Sequence, residues 1–358
     1  LNHLKRPQLI FEATGIYSRG MVQFCRINQI DYVEMNPLEA KFKTSSLRSW
    51  KTDQADAHKL AQLGTHLEIN NTPQAITSDV FFELRERTRF HLEIEKEQNH
   101  LKVEMIELLH QTFPGLEQLF KSRYSMIALN IAEIFTHPEF IQQHDLNSLT
   151  DIIFASTEKS MSYEKAEKYA IKLTNITKES YPTVNSNSFL IEKTKVLIQQ
   201  LKSSIQLQKR LDEDMVQLAK QLDCFKAIKS IPGIGELTAA MIIGELGDMT
   251  KFKSHKQMNA YVGIDVKRYQ SGATYYRDTI NKRGNKKARR LFYWVVMNII
   301  RGQHYYENHV VDYYYKLRKQ PNEKPHKTAV VACINRLLKT IHYLVMNQKL
   351  YDYQMSPH

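Results

Sequence analysis

Cysteine is scarce in this sequence. Cys25, Cys224 and Cys333 are scattered over 358 residues with no CxxC pair. That excludes a disulfide scaffold and a cysteine zinc centre, and it suits a reducing cytoplasm. Long apolar runs are missing too: none approaches the roughly eighteen residues of a membrane span. The opening LNHLKRPQL lacks the apolar core of a secretory leader. There are no internal repeats and no low-complexity segment. What remains, 42% apolar and 25% charged residues, is an ordinary globular composition long enough for two or three domains.

Acidic residues are the other shortage, and a local one. Residues 1–225 hold 27 Lys+Arg against 29 Asp+Glu, whereas residues 226–358 hold 23 against 9. The whole net charge of +12 therefore belongs to the C-terminal third. A basic surface can serve solubility alone, but charge concentrated in this way usually faces a polyanion.

Along the chain, QLIFE (8–12) predicts a strand, followed by a helical pattern through Met21, Phe24 and Cys25 and a second strand, DYVEM (31–35). A further helix should start at KTDQADAHKLA, capped by Thr52 or Asp53. Strand, helix, strand, helix is an α/β order with parallel strands. The pattern is then helical from about 78 to 110, broken into shorter helices by Pro138 and Pro182, and helical again from about 189 to 222. In the last stretch Leu197, Leu201, Leu211, Met215, Leu218 and Leu222 keep a heptad spacing that Ser204 and Gln208 interrupt. Two long charged helices flanking a helical insert suggest an antiparallel coiled-coil arm; an ordinary helical bundle fits as well. Residues 226–358 read as mainly helical, opened by a glycine-rich turn and closed by a long helix.

Three motifs carry chemistry. In KTDQAD, Asp53 and Asp56 share one side of a helix start; they either favour the helix dipole or, with Glu12 at a strand end, gather around one or two Mg²⁺ ions. In IPGIGELTAA, Gly233 and Gly235 have the pattern of a helix-hairpin-helix turn, whose backbone N–H groups can meet a phosphate; a tight structural turn is the other reading. In YQSGATYYRDTINKRGNKKARR, Ser271 precedes a glycine. Further on, Lys282, Arg283, Lys286, Lys287, Arg289 and Arg290 fall within one span of nine residues. Such cations can stabilise charge at a phosphodiester under attack by a serine.

FEATGIY, NPLEAKFK, KTDQADAHKLA, IPGIGELTAA and AYVGI…YQSG…INKRGNKKARR, in that order, resemble the IS110 family of transposases over nearly the whole chain. The resemblance implies a RuvC-like (RNase H-like) DEDD domain over 1–77, a helical, coiled-coil region over 78–225, and a mainly α transposase domain with the helix-hairpin-helix turn over 226–358. It assigns Glu12, Asp53 and Asp56 to an acidic tetrad binding Mg²⁺ (or Mn²⁺), and Ser271 to a covalent 5′-phosphoserine link with DNA. Gly233, Gly235 and the six cations would contact nucleic acid. The expected partners are donor and target DNA, a bridge RNA and further copies of the chain in a dimer or tetramer. The expected setting is the bacterial cytoplasm, at the nucleoid, with no membrane.

Two other readings compete: a metal-only nuclease or junction resolvase in which Ser271 is incidental, and a non-catalytic nucleic-acid-binding remnant. The chain departs from the family pattern at Asp265-Val266, where a proline is common; Asp265 in VGIDVK is no substitute for the tetrad's first aspartate. That residue lies in the family on a strand before the glutamate strand, and this sequence starts at Leu1 with a strand already near at Gln8. The expectation is that these 358 residues do not cleave DNA and fold poorly at the N-terminal end. The nucleotides upstream should encode, in frame or behind one frameshift, a strand with an aspartate. Reading that DNA checks this, and unaided cleavage by the 358-residue chain would overturn the placement of the tetrad.

Overall fold

The computed structural model describes residues 7–12, 16–35, 53–66, 79–157, 160–267, 270–271, 274–275, 279–321 and 323–355. Thr52, Gly272 and Tyr269 lie outside them, and for Asp53, Asp56 and Ser271 the backbone alone is described. The chain is mostly helical with few strands. It divides into two compact units, Leu1–Asp79 and Val80–His358.

In the first unit, strands β1 (Gln8–Glu12) and β2 (Asp31–Met35) pair in parallel, with Gln8 opposite Asp31 and Glu12 opposite Met35. Two parallel strands need a crossover, and the helix Ile16–Ile27 supplies it, packing on both. Its Cys25 is fully buried, and Ser18 donates to Glu34 Oε1 at 2.8 Å, tying helix to sheet. Phe11 and Tyr32 stack diagonally across the pair with centroids 5.9 Å apart. The helix Asp53–His66 packs against β1. The strand–helix–strand–helix order and the parallel pairing are those read from the sequence.

The second unit is organised by two long helices, Asp79–Thr112 and Phe189–Lys220. Lys193 meets Glu104 at 2.8 Å towards one end and His91 meets Asp212 at 2.7 Å towards the other, so the helices run antiparallel. Each end of the pair is built into its own core. Leu101, Met105 and Leu109 join Leu197 and Leu201 in the core of the helical insert. Leu84 and Ile94 join Leu211, Met215 and Ala219 in the C-terminal core. The level between is polar, with Gln98 buried on one helix and Ser204 and Gln208 half-buried on the other. That is why the heptad is broken there: the seam changes from one core to the other.

Among its described residues the insert holds four α-helices, Met126–Ile134, Pro138–Gln142, Leu146–Ala155 and Tyr163–Glu179, and a short 3-10 turn at Leu116–Gln118. Pro138 opens its helix rather than breaking one, because a proline in the first turn gives up no helical hydrogen bond; the His137 ring caps it, accepting from the Glu139 N–H. Pro182 follows the end of a helix, as expected from the sequence.

In the C-terminal core, helices Cys224–Lys229, His255–Val262, Lys286–Arg301 and His309–Arg318 pack on His326–Met346, and Glu236–Leu246 packs on Cys224–Lys229, Lys286–Arg301 and the second long helix. Among the described residues, His326–Met346 is the one helix long and apolar enough to cross a membrane. Here Ala329, Val330, Cys333, Ile334, Leu337, Leu338 and Ile341 are fully buried by protein instead. Burial pushes the Cys224 and Cys333 thiols up to about 12, and all three cysteines are free.

Gly244 lets helix Glu236–Leu246 lie directly against the first long helix: a Cβ there would overlap Thr88 Oγ1 and come within 2.9 Å of the Leu84 carbonyl. Gly244→Val should lower stability by about 1–3 kcal/mol through overpacking. A denaturant midpoint equal to that of the parent protein would contradict this close approach.

Candidate nucleic-acid interface

Glu12 is the last residue of β1 and is half-buried. Asp53 is the first residue of the helix packed on that strand, and Asp56 follows three residues later. The backbone therefore brings a strand's C-terminal end and a helix carrying two acids into one small unit, as the sequence pattern requires. An all-carboxylate set suits a hard divalent cation such as Mg²⁺ or Mn²⁺ and not a soft one. Among the described side chains, which exclude Asp53 and Asp56, no three His, Cys, Asp or Glu residues gather as a metal site.

Ser271 lies on a β-hairpin in the second unit. Strand β3 (Val266–Lys267) pairs antiparallel with β6 (Thr279–Ile280); nested inside, β4 (Gln270–Ser271) pairs with β5 (Thr274–Tyr275). In that pair Ser271 is opposite Thr274. Two-residue ladders hold little by themselves, so the hairpin depends on what anchors its base.

That anchor is dense. The Asn281 N–H donates to the Asp265 carbonyl at 2.8 Å, Lys282 N–H to the Gly263 carbonyl at 3.1 Å, and Asn285 N–H to the Tyr261 carbonyl at 2.6 Å. Gly263 turns the chain out of helix His255–Val262 with φ +78°, and Gly284 lies on it so closely that a Cβ would overlap the Tyr261 carbonyl. Beneath sits Glu245, fully buried. Its Oε2 accepts from Asn285 Nδ2 at 2.6 Å, and Arg89 Nε stands 3.6 Å from its Oε1. Tyr261 Oη donates to the Glu245 carbonyl at 3.0 Å, and Arg85 reaches the Gly244 carbonyl at 3.2 Å. Asn285 also caps helix Lys286–Arg301, its Oδ1 accepting from the Lys287 and Ala288 N–H groups. One side chain thus joins the buried acid to the helix start. Burial also raises the Asp265 carboxyl above the usual range. None of Glu245, Asn285, Arg85 and Arg89 was singled out in the sequence; the one signal was a lone acid inside the apolar run AAMIIGEL.

Of the six cations after the serine, Lys282, Arg283, Lys286, Lys287 and Arg290 are exposed. Arg289 is half-buried and occupied, donating to the Val262 carbonyl at 2.9 Å. Lys287 stands 3.9 Å from Glu93, a long and solvent-exposed pair. Lys286 and Lys287 fall in the first turn of a helix with no acidic residue there. Cations at the positive end of a helix are unfavourable until an anion arrives. The hairpin base therefore presents a cationic surface suited to phosphate.

The glycine turn is more enclosed. Gly233 has φ +88° and faces Ile299 and the Tyr306 hydroxyl, and the Pro232 carbonyl accepts from Asn308 Nδ2 at 2.9 Å. Gly235 is open. The next helix starts with Glu236, whose carboxylate is held below its usual range by Lys229 at 2.5 Å and Lys220 at 3.2 Å. A phosphate approaching this turn meets two lysines already sharing an acid.

Comparison with known proteins gives matches at both ends of the chain. A transposase model of the IS110 DEDD type matches residues 1–114, and the model described as "Transposase IS116/IS110/IS902 family" matches residues 225–310, together more than half of the sequence. The transposase for insertion sequence element IS1111A of Coxiella burnetii is 32% identical over 80 residues, 22% of this chain and 22% of that protein. The transposase for IS1328 of Yersinia enterocolitica is 37% identical over 62 residues, 17% of this chain and 19% of that protein. The pilin gene-inverting protein of Moraxella bovis is 27% identical over 122 residues, 34% of this chain and 36% of that protein. The matched stretches thus span between 19% and 36% of these relatives' lengths.

If the exposed cations meet phosphates, replacing Lys282, Arg283, Lys286, Lys287 and Arg290 by alanine should weaken duplex binding for every sequence tested. The slope of log K against log salt should fall by about 0.9 for each phosphate no longer neutralised. An unchanged slope would make these residues a solvated face.

Proposed function

We propose, for a chain that belongs to the IS110 family of transposases, that it recombines the DNA of an insertion sequence through a covalent serine intermediate. The Ser271 hydroxyl oxygen attacks a phosphodiester phosphorus, forming a 5′-phosphoserine bond. The bond from phosphorus to the 3′ oxygen breaks, and that oxygen leaves as a hydroxyl, taking up a proton as the serine gives one up. Attack by a free 3′ hydroxyl on the phosphoserine reverses these changes and joins the strands. No external energy source is needed, because one phosphoester replaces another.

The observation that carries this reading is the hairpin: Ser271 lies on it, and its base joins helix Lys286–Arg301 and a row of exposed cations. Cations there would hold the DNA backbone and offset charge as the phosphorane forms. The 1–77 region is read as RuvC-like, with Glu12, Asp53 and Asp56 as part of an acidic tetrad. A Mg²⁺ or Mn²⁺ ion held by them would supply Lewis-acid stabilisation of the phosphodiester. Residues 226–358 are read as the serine-bearing domain, with Gly233 and Gly235 as a helix-hairpin-helix turn, and 78–225 as the helical region between. The partners are donor and target DNA and a bridge RNA; joining four DNA ends calls for a dimer or tetramer. The setting is the bacterial cytoplasm.

The test is a protein–DNA adduct. The protein translated from its whole reading frame, mixed with element DNA and Mg²⁺, should form one that survives denaturation. Ser271→Ala should abolish it while DNA and RNA binding stay near normal. An adduct persisting in the alanine variant would sink the serine assignment, and cleavage without any adduct would favour a metal-only nuclease.

A bridge RNA makes a separate prediction. Discrimination of element DNA from other DNA should need the cognate transcript, with only weak, salt-sensitive binding in its absence. Tight discrimination by RNA-free protein would count against a guide.

A further inference from the structure

The positive charge of residues 226–358 is not confined to the serine hairpin. A cleft of about 580 Å³ lies between the start of helix His309–Arg318, one face of helix His326–Met346 and the segment 349–355. That is room for a ligand of nucleotide size. Arg336, Lys339 and Lys349 line it together with Tyr343, Leu350 and Tyr351. Among the described residues, no acid stands within ion-pair distance of Lys339 or Lys349. Among the described residues Asp352 is the one acid lining this cleft, and Glu307 joins it in the hollow towards the glycine turn. Tyr343 is 50% exposed with Lys349 Nζ 5.9 Å from its ring centroid, and Leu350 is 64% exposed.

The cleft continues at both ends. Arg336 and Lys339 also line a hollow of about 260 Å³ with His255 and Tyr313. The segment 349–353 also lines one of about 560 Å³ that reaches Ser230 and Pro232 of the glycine turn. Burial and the cations around it, Lys339, His342 and Lys256, lower the His255 pKa, another sign that positive charge is crowded here. The three hollows share walls and form one track. None of their lining residues belongs to the serine hairpin or its cations.

We propose that this track binds a single-stranded nucleic-acid segment, with bases against Tyr343 and Tyr351 and phosphates on Lys339 and Lys349. A purely apolar partner would leave Lys339 and Lys349 desolvated without anions. A lone phosphate would leave the exposed Tyr343 and Leu350 surfaces uncovered. A nucleotide strand satisfies both, because every base has an apolar face and every link carries a charge. In a duplex the base faces are stacked on one another and are not free to cover Tyr343. The inference does not depend on Ser271 or on cleavage.

The test is fluorescence anisotropy of the whole protein with labelled oligo(U), oligo(dT) and a duplex, in the absence of divalent metal. Tyr343→Ala should weaken single-strand binding by about tenfold. Tyr343→Phe, which keeps the ring, should bind as the parent does. The paired change Lys339→Ala and Lys349→Ala should lower the single-strand salt slope by about 0.7 for each phosphate no longer neutralised. Duplex affinity should stay unchanged in every variant. Preference for oligo(U) over oligo(dT), or the reverse, tells RNA from DNA as the occupant. Tyr343 is exposed, so equal melting temperatures of parent and variants will separate lost binding from lost fold. Unaltered single-strand binding in both Tyr343→Ala and the lysine pair would overturn the proposal, as would equal losses for duplex and single strand. A missing covalent adduct would leave it standing.

Discussion

A carboxylate with no solvent exposure must be met by donors, or its desolvation costs several kcal/mol. Glu245 is such a group, and the polar groups that face it come from two distant parts of the chain. Asn285 donates to its Oε2 from the hairpin base, and the Arg89 guanidinium, on the first long helix, faces its Oε1 as an ion pair at 3.6 Å. Because Asn285 also caps helix Lys286–Arg301, the acid's requirement for partners fixes the start of that helix. The same residue pins the returning strand of the hairpin to the Tyr261 carbonyl. Removing one partner would therefore disturb burial, helix start and hairpin base together.

Rigidity beneath and sparse pairing above follow from this arrangement. The long helices carry the C-terminal core at one end and the helical insert at the other, with ion pairs holding their register. Upon that base the hairpin is only two short ladders, enough to set a direction but not to resist adjustment by a bound strand. The exposed cations sit on the rigid side, at the helix start, rather than on the ladders. A phosphate held there is held by the core. The proposed single-strand track runs over a different face of the same core, so the two surfaces can be tested separately.

Much of the architecture was legible because it obeys simple periodicities. QLIFE and DYVEM are short apolar runs that form strands, and the long helices could be placed within two residues at their starts. The break at Ser204 and Gln208 was visible as well, although its meaning was not. Only the packing shows that each end of the pair enters a different core. Pro138 was read as a breaker because sequence does not tell a helix's first turn from its middle. The serine and the cations stood out by composition, but Arg289 looked like its neighbours and is committed to the Val262 carbonyl. Glu245 and Asn285 lie forty positions apart, and no local pattern links them. Gly284 drew no reading from the sequence, yet its missing Cβ is what lets two backbone segments touch.

The anchoring of the serine hairpin rests on Glu245 and Asn285 acting as one unit, which a double-mutant cycle measures directly. Glu245→Ala, Asn285→Ala and the double variant would be compared by denaturant unfolding. The two changes should be strongly non-additive, with a coupling energy of about 0.5–3 kcal/mol, because either one alone removes the shared hydrogen bond. Strict additivity would show that the buried acid and the helix cap are independent, and would contradict a hairpin anchored through them.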